Sequence, residues 1–72
     1  MGNGFVKLRD YEHLGETLFI NVEQIEMVKD CGTSEDDEPL TEIVMISHSS
    51  SYIVYGKVEE VMMMIILAQR GD

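Results

Sequence analysis

The chain has 72 residues, with 14 acidic against 5 basic side chains, a net charge of −9 and one cysteine. A chain of this length forms a single domain with a small core, and a lone cysteine excludes an intrachain disulfide. Nucleic-acid binding needs a basic surface, so we expect no direct nucleic-acid partner.

The acidic surface has two interpretations. It keeps a soluble protein dispersed, which is the simpler one. Alternatively it attracts basic partners, or imitates nucleic acid toward a protein that binds it. The longest apolar run, residues 61–68, is far shorter than the roughly 20 residues that span a bilayer. With no signal-peptide pattern and a single cysteine, the sequence predicts a cytoplasmic protein without a membrane partner.

The first half of the chain predicts a hairpin followed by a third strand. Side chains alternate along residues 5–11, a turn at Gly15 follows, and residues 17–20 are aromatic and β-branched. Asn21 is a good cap for a single helical turn. A third strand is expected at residues 26–30.

Residues 31–40 predict an acidic, flexible loop within the single domain, residues 1–72. The loop lacks the alternating ligand spacing of a calcium-binding loop, so we expect no metal site there. A contact with a basic partner is the alternative use of its four consecutive acidic residues, Glu35, Asp36, Asp37 and Glu38.

A strong strand is expected at residues 41–47, and the last strand at residues 51–55. The apolar run at residues 43–46 indicates either a central strand or a sheet face that is itself an interface. The turn between these strands is rich in hydroxyl groups. A polar hairpin turn is the simpler interpretation, and a ligand- or phosphate-binding turn is the alternative, for His48, Ser49, Ser50 and Ser51.

Residues 56–70 predict a C-terminal helix that is apolar on every side. One face is formed at helical spacing by Val58, Val61, Met62, Ile65 and Ala68. Because the remaining apolar residues point elsewhere, we expect one face on the sheet and another on a second copy or a partner. The predicted interface residues are Ile43, Met45, Met62, Met63, Ile65, Ile66 and Leu67.

The residues that could support catalysis are few and scattered. His13, Cys31 and His48 have no paired spacing of the kind that binds zinc. A cysteine nucleophile needs a base, an orienting group and a pocket, and a lone cysteine is more often a packing residue. We therefore expect no enzyme, no catalytic or metal-binding residues and no cofactor.

Short segments over most of the chain carry a family resemblance. They are Val6–Leu8, Gly15–Asn21, Ile25–Val28, Thr41–Ile46, Tyr52–Val54 and Val58–Val61. In these segments the chain resembles the FlbD-like proteins encoded in flagellar operons. The loop at residues 30–40 is longer and more acidic than in that family, and the second hairpin turn lacks the usual glycine. The resemblance implies a small cytoplasmic β-rich domain with a terminal helix and no catalytic residues.

Together these patterns predict an α+β domain, an antiparallel sheet of four or five strands with one C-terminal helix packed on it. The expected function is that of a non-catalytic, homo-oligomeric interaction or regulatory module that binds a protein partner. The alternative is an inhibitor, from a phage or mobile element, of a host defence system. It would act as an acidic decoy or by sequestering a small nucleotide between subunits.

Overall fold

The computed structural model describes residues 4–46 and 50–70. It confirms the predicted fold class, since five antiparallel strands form one sheet and a single C-terminal helix packs on it. In chain order the elements are β1 (Phe5–Asp10), β2 (Glu16–Asn21), a 3₁₀ turn (Val22–Gln24), β3 (Ile25–Thr33), β4 (Pro39–Met45), β5 (Ser51–Tyr55) and α1 (Val58–Arg70).

The sheet has the strand order β2-β1-β5-β4-β3. The predicted hairpin of β1 and β2 is present, and β3–β4 and β4–β5 pair as well. The β1–β2 hairpin is joined to the other three strands through a short pairing of β1 with β5, which consists of the single register pair Asp10↔Val54. Next to it, the Tyr11 N–H donates to the Ile53 carbonyl at 2.8 Å.

The core lies between α1 and one face of the sheet. Strand alternation brings apolar side chains of four strands to that face, and α1 adds Val61 and Ile65. The buried members of the cluster are Val6, Leu8, Ile20, Val22, Ile43, Val54, Val61 and Ile65. One stripe of the helix is therefore fully used in the folding of a single chain.

The 3₁₀ turn connects the two edge strands of the sheet, β2 and β3. Four residue steps from Asn21 to Ile25 span at most about 14 Å, whereas the edges of a flat five-stranded sheet lie about 19 Å apart. The sheet must therefore curl around the core. As predicted, Asn21 caps the turn, its side chain accepting the Glu23 N–H at 3.0 Å.

The loop expected at residues 31–40 is shorter in the structure. β3 continues to Thr33 and β4 begins at Pro39, and these two residues are register partners. The tight turn between them is stabilised by Ser34, whose hydroxyl accepts the N–H groups of Asp36 and Glu38 at 3.2 Å. Because of these bonds, only five residues separate β3 from β4, although four of the five are acidic.

The helix starts later than the sequence pattern predicts, at Val58, because Gly56 has a φ of +129° and cannot belong to it. Glu59 and Glu60 occupy the first turn and Arg70 the last, as the helix dipole favours.

Candidate interaction surface

The outer side of α1 carries five exposed apolar side chains. We call it the outer helix face. Each of its residues exposes between 39% and 58% of its surface. They are Met62, Met63, Met64, Ile66 and Leu67. Buried residues at Val61 and Ile65 fix the rotation of the helix, so these five must point sideways or outward.

Three of the predicted interface residues lie inside the chain. Ile43 is 0% exposed and Ile65 is 4% exposed, and both belong to the core cluster. Met45 is half-buried and packs against that cluster. Ile43 and Met45 face the core, whereas Val44 is half-buried and Ile46 is 56% exposed, so the chain itself covers only one side of this apolar run. The other four predicted interface residues, all on the helix, lie on the outer helix face.

The four predicted partner-binding acids lie together in the β3–β4 turn, and the side chains of all four are exposed. Asp37 has a positive φ of 62°, and its N–H donates to the Ser34 carbonyl at 3.0 Å. The turn lies at the end of the sheet where α1 starts, since the Gly56 N–H donates to the Pro39 carbonyl at 2.9 Å. The acidic turn and the first helical turn thus share one negative end of the molecule.

The predicted hydroxyl-rich ligand turn is only partly described. His48 and Ser49 lie outside the described residues. Ser50 is exposed and its carbonyl accepts the Met45 N–H at 2.9 Å, while Ser51 is exposed and begins β5. The β4–β5 connection is thus closed by a hairpin bond, and the ligand-binding alternative stays a prediction.

Two grooves flank α1. The first, the β1 groove, has a volume of about 250 Å³. It forms beside the part of β1 that is paired with β2 but no longer with β5. It is lined by Lys7, Leu8, Arg9, Tyr55, Gly56, Glu60, Val61 and Met64. The second, the β3 groove, has a volume of about 300 Å³ and is lined by Val22, Ile25, Glu26, Met27, Val28, Met62, Ile65 and Gln69. Each groove thus has a methionine of the outer helix face on its rim, and methionine adapts readily to a partner's shape.

An aromatic and basic cluster borders the β1 groove. The Arg9 guanidinium lies 5.0 Å from the centre of the Tyr55 ring, and Tyr11 meets the same ring edge-on at 5.5 Å. Lys7 and Arg9 lie on the exposed side of β1, and the alternation along the strand did not indicate that Tyr55 would lie beside Arg9. No local sequence pattern indicates this contact, because the pairing of β1 with β5 joins segments more than 40 residues apart.

A second polar cluster stabilises the β1–β2 turn. Asp10 is buried, and its carboxylate accepts the Glu12 N–H at 3.1 Å and is bonded to the His13 ring nitrogen Nδ1. The hydrogen bond to Asp10 and its negative charge raise the pKa of His13 above 6.5, and Glu16 and Glu12 add to this. The signal for this cluster was the Asp-x-x-His spacing before Gly15.

We expect the stabilising effect of His13 to fade at higher pH. A raised folded-state pKa means that protonated His13 stabilises the fold fully below pH 6.5, and that this effect is lost as the pH rises through the folded-state value. Urea unfolding of the wild type and of a His13→Gln variant, at several pH values, measures the difference. The difference should shrink with rising pH; a constant or growing difference would contradict the assignment.

Among residues 4–46 and 50–70, no group of three or more His, Cys, Asp or Glu side chains is placed to hold a metal ion. In the same ranges, α1 lacks the length and apolar character needed to cross a bilayer. Cys31 is half-buried with a free thiol.

Comparison of the chain with models of protein families, with curated proteins and with solved structures finds no match. The resemblance to FlbD-like proteins therefore stays a prediction, and the function has to be argued from the surface itself.

Proposed function

We propose that this chain is a non-catalytic interaction module that self-associates through the outer helix face and binds a protein partner with the surfaces left open. The observation that carries the proposal is five exposed apolar side chains on a helix of 13 residues. We place the protein in the cytoplasm, because its one cysteine carries a free thiol.

Leaving this face in contact with water has a free-energy cost. Each Å² of apolar surface removed from water contributes about 25 cal/mol, and contiguous apolar patches on a monomer mark interaction sites. The small core gives a second reason, since domains of this size often gain stability from association.

The size of the face sets the expected affinity. A helix of 13 residues is about 20 Å long, so it supplies only part of the roughly 800 Å² per partner of a standard interface. Because interfaces below the standard size are typical of weak association, we expect a Kd in the micromolar range.

The negative end of the molecule is the second contact surface that we propose, for a basic partner. Its acids are those of the β3–β4 turn together with Glu60 on the first turn of α1, near the start of the helix rather than along its apolar stretch. Binding there would weaken steeply with salt, whereas self-association, whose contact is mainly apolar, would weaken only slightly.

Introducing charge on the outer helix face is expected to separate the copies. The double variant Ile66→Glu, Leu67→Glu should be a folded monomer of about 8.2 kDa at concentrations where the wild type has about twice that mass. Light scattering after size-exclusion chromatography measures the mass, and circular dichroism checks the fold.

The matched control is Phe19→Glu, which places a glutamate on an exposed side chain of β2, 67% accessible and away from the helix. This control should keep the wild-type mass. A monomeric Phe19→Glu variant, together with an unchanged Ile66→Glu, Leu67→Glu variant, would assign association to the sheet and overturn the proposal.

A further inference from the structure

The outermost line of α1 has a charge order that distinguishes one arrangement of two copies from the others. At helical spacing i, i+4, i+7 and i+11, the line opposite the buried stripe is formed by Glu59, Met63, Ile66 and Arg70. It is acidic at one end, apolar in the middle and basic at the other end. All four side chains are exposed.

We infer that the partner on this face is a second copy of the chain, whose α1 lies antiparallel to the first about a two-fold axis between residues 64 and 65. The inference rests on the proposed self-association and specifies its geometry. A two-fold interface is self-complementary, so each contact occurs twice.

The antiparallel alignment pairs every residue of the line with a chemically suitable one. Met63 lies against Ile66 of the second copy, which places apolar side chains at the centre. Glu59 lies against Arg70 of the second copy at both ends. Met62 and Leu67 flank this line on opposite sides, and the two-fold symmetry places each on the same side as its counterpart in the second copy, so the apolar contact widens on both sides.

The parallel alignment of two copies is electrostatically unfavourable. It would place the two Glu59 carboxylates together and the two Arg70 guanidinium groups together, and like charges facing each other oppose association. In the part of the chain that the structure describes, neither residue takes part in an ion pair within its own chain. Both charges are thus available to a partner.

Charge reversal tests the orientation. The single variants Glu59→Arg and Arg70→Glu each put like charges at both ends of the antiparallel dimer, so each should raise the dimer Kd about tenfold. The double variant restores opposite charges and should return the Kd to within about threefold of the wild type. Sedimentation equilibrium at low salt measures each Kd, and circular dichroism confirms that each variant is folded.

The matched control for charge reversal is Glu60→Arg. It makes the same change of net charge in the same first helical turn, but its side chain lines the β1 groove instead of the outermost line. It should change the Kd less than Glu59→Arg does. Equal effects of the two would show that net charge alone acts, and would overturn the inferred pairing.

Disulfide trapping gives a second, independent measurement. In a Cys31→Ser background, Glu59→Cys and Arg70→Cys chains are prepared separately, then oxidised alone and as a mixture. Residues 59 and 70 of one helix lie about 16 Å apart along its axis, so the antiparallel dimer predicts cross-linking only in the mixture. Cross-linking of Glu59→Cys with itself would establish a parallel pair and overturn the inference.

The outcomes separate this inference from the proposed function. Suppose that the wild type dimerises and the Ile66→Glu, Leu67→Glu variant does not, but charge reversal leaves the Kd unchanged and the helices cross-link in the parallel sense. The proposed function would then stand and the antiparallel geometry would be wrong. A wild type that is monomeric at all concentrations rejects both.

Discussion

Replacing Ile43 with alanine is expected to lower the free energy of unfolding by about 2–5 kcal/mol, because the change removes buried methyl groups and leaves a cavity. Ile43 is 0% exposed and lies in the middle of the core, with Val28 and Tyr52 as its register partners on either side. A domain of 72 residues has a total stability of roughly 4–11 kcal/mol. The variant should therefore lose much of its stability, measured by urea unfolding at one fixed protein concentration.

The control for this effect is Ile46→Ala, at the residue that directly follows the last residue of β4, Met45. Ile46 is 56% exposed, so the same chemical change should cost less than about 0.5 kcal/mol. A loss of similar size for both variants would contradict the assignment of Ile43 to the core and Ile46 to the surface.

Replacing Gly56 with alanine is expected to cost about 1–3 kcal/mol, because its φ of +129° is a conformation that side chains rarely adopt. A Cβ at this position would also lie 3.4 Å from the Val61 side chain. The residue forms the junction of β5 and α1, and its carbonyl accepts the Thr41 hydroxyl at 2.9 Å. Thermal and urea unfolding give the loss.

Gly32→Ala is the matched comparison for Gly56→Ala. Gly32 also has a positive φ, +83°, but a Cβ there would meet no atom within 4 Å. This variant should lose less stability, because a φ of +83° lies closer than +129° to the left-handed region that side chains can adopt. A Gly56→Ala variant as stable as the wild type would contradict the role given to the junction.

The local elements followed from the sequence because each has a local cause. Alternation along β1 predicted its buried and exposed sides, Asn21 predicted the 3₁₀ turn, and helical spacing predicted the buried pair Val61 and Ile65. Met62, assigned to the same helical face, is 39% exposed, because it lies about 100° around the helix from Val61.

The contacts between distant segments could not be predicted in the same way. The pairing of β1 with β5 and the curl of the sheet depend on which strands become neighbours, and no local pattern specifies that choice. For the same reason Ile43 was predicted at an interface. An apolar run indicates burial on both sides of a strand, but it does not say whether the same chain or a second copy provides the cover.

Within the candidate surface, the sequence indicated that the helix had too many apolar residues for one packed face. It did not indicate which of them would remain outside, since that depends on how the helix is rotated on the sheet. Once Val61 and Ile65 are placed inward, the outer line from Glu59 to Arg70 follows directly.

The central claim is that the outer helix face joins two copies. Its most direct test is the solution mass of the wild type, measured by sedimentation equilibrium. The protein concentration should run from about 1 to several hundred micromolar, because the expected Kd is micromolar. The mass should rise from 8.2 kDa toward twice that value. A mass that stays at 8.2 kDa throughout would show that the outer helix face does not bind a second copy.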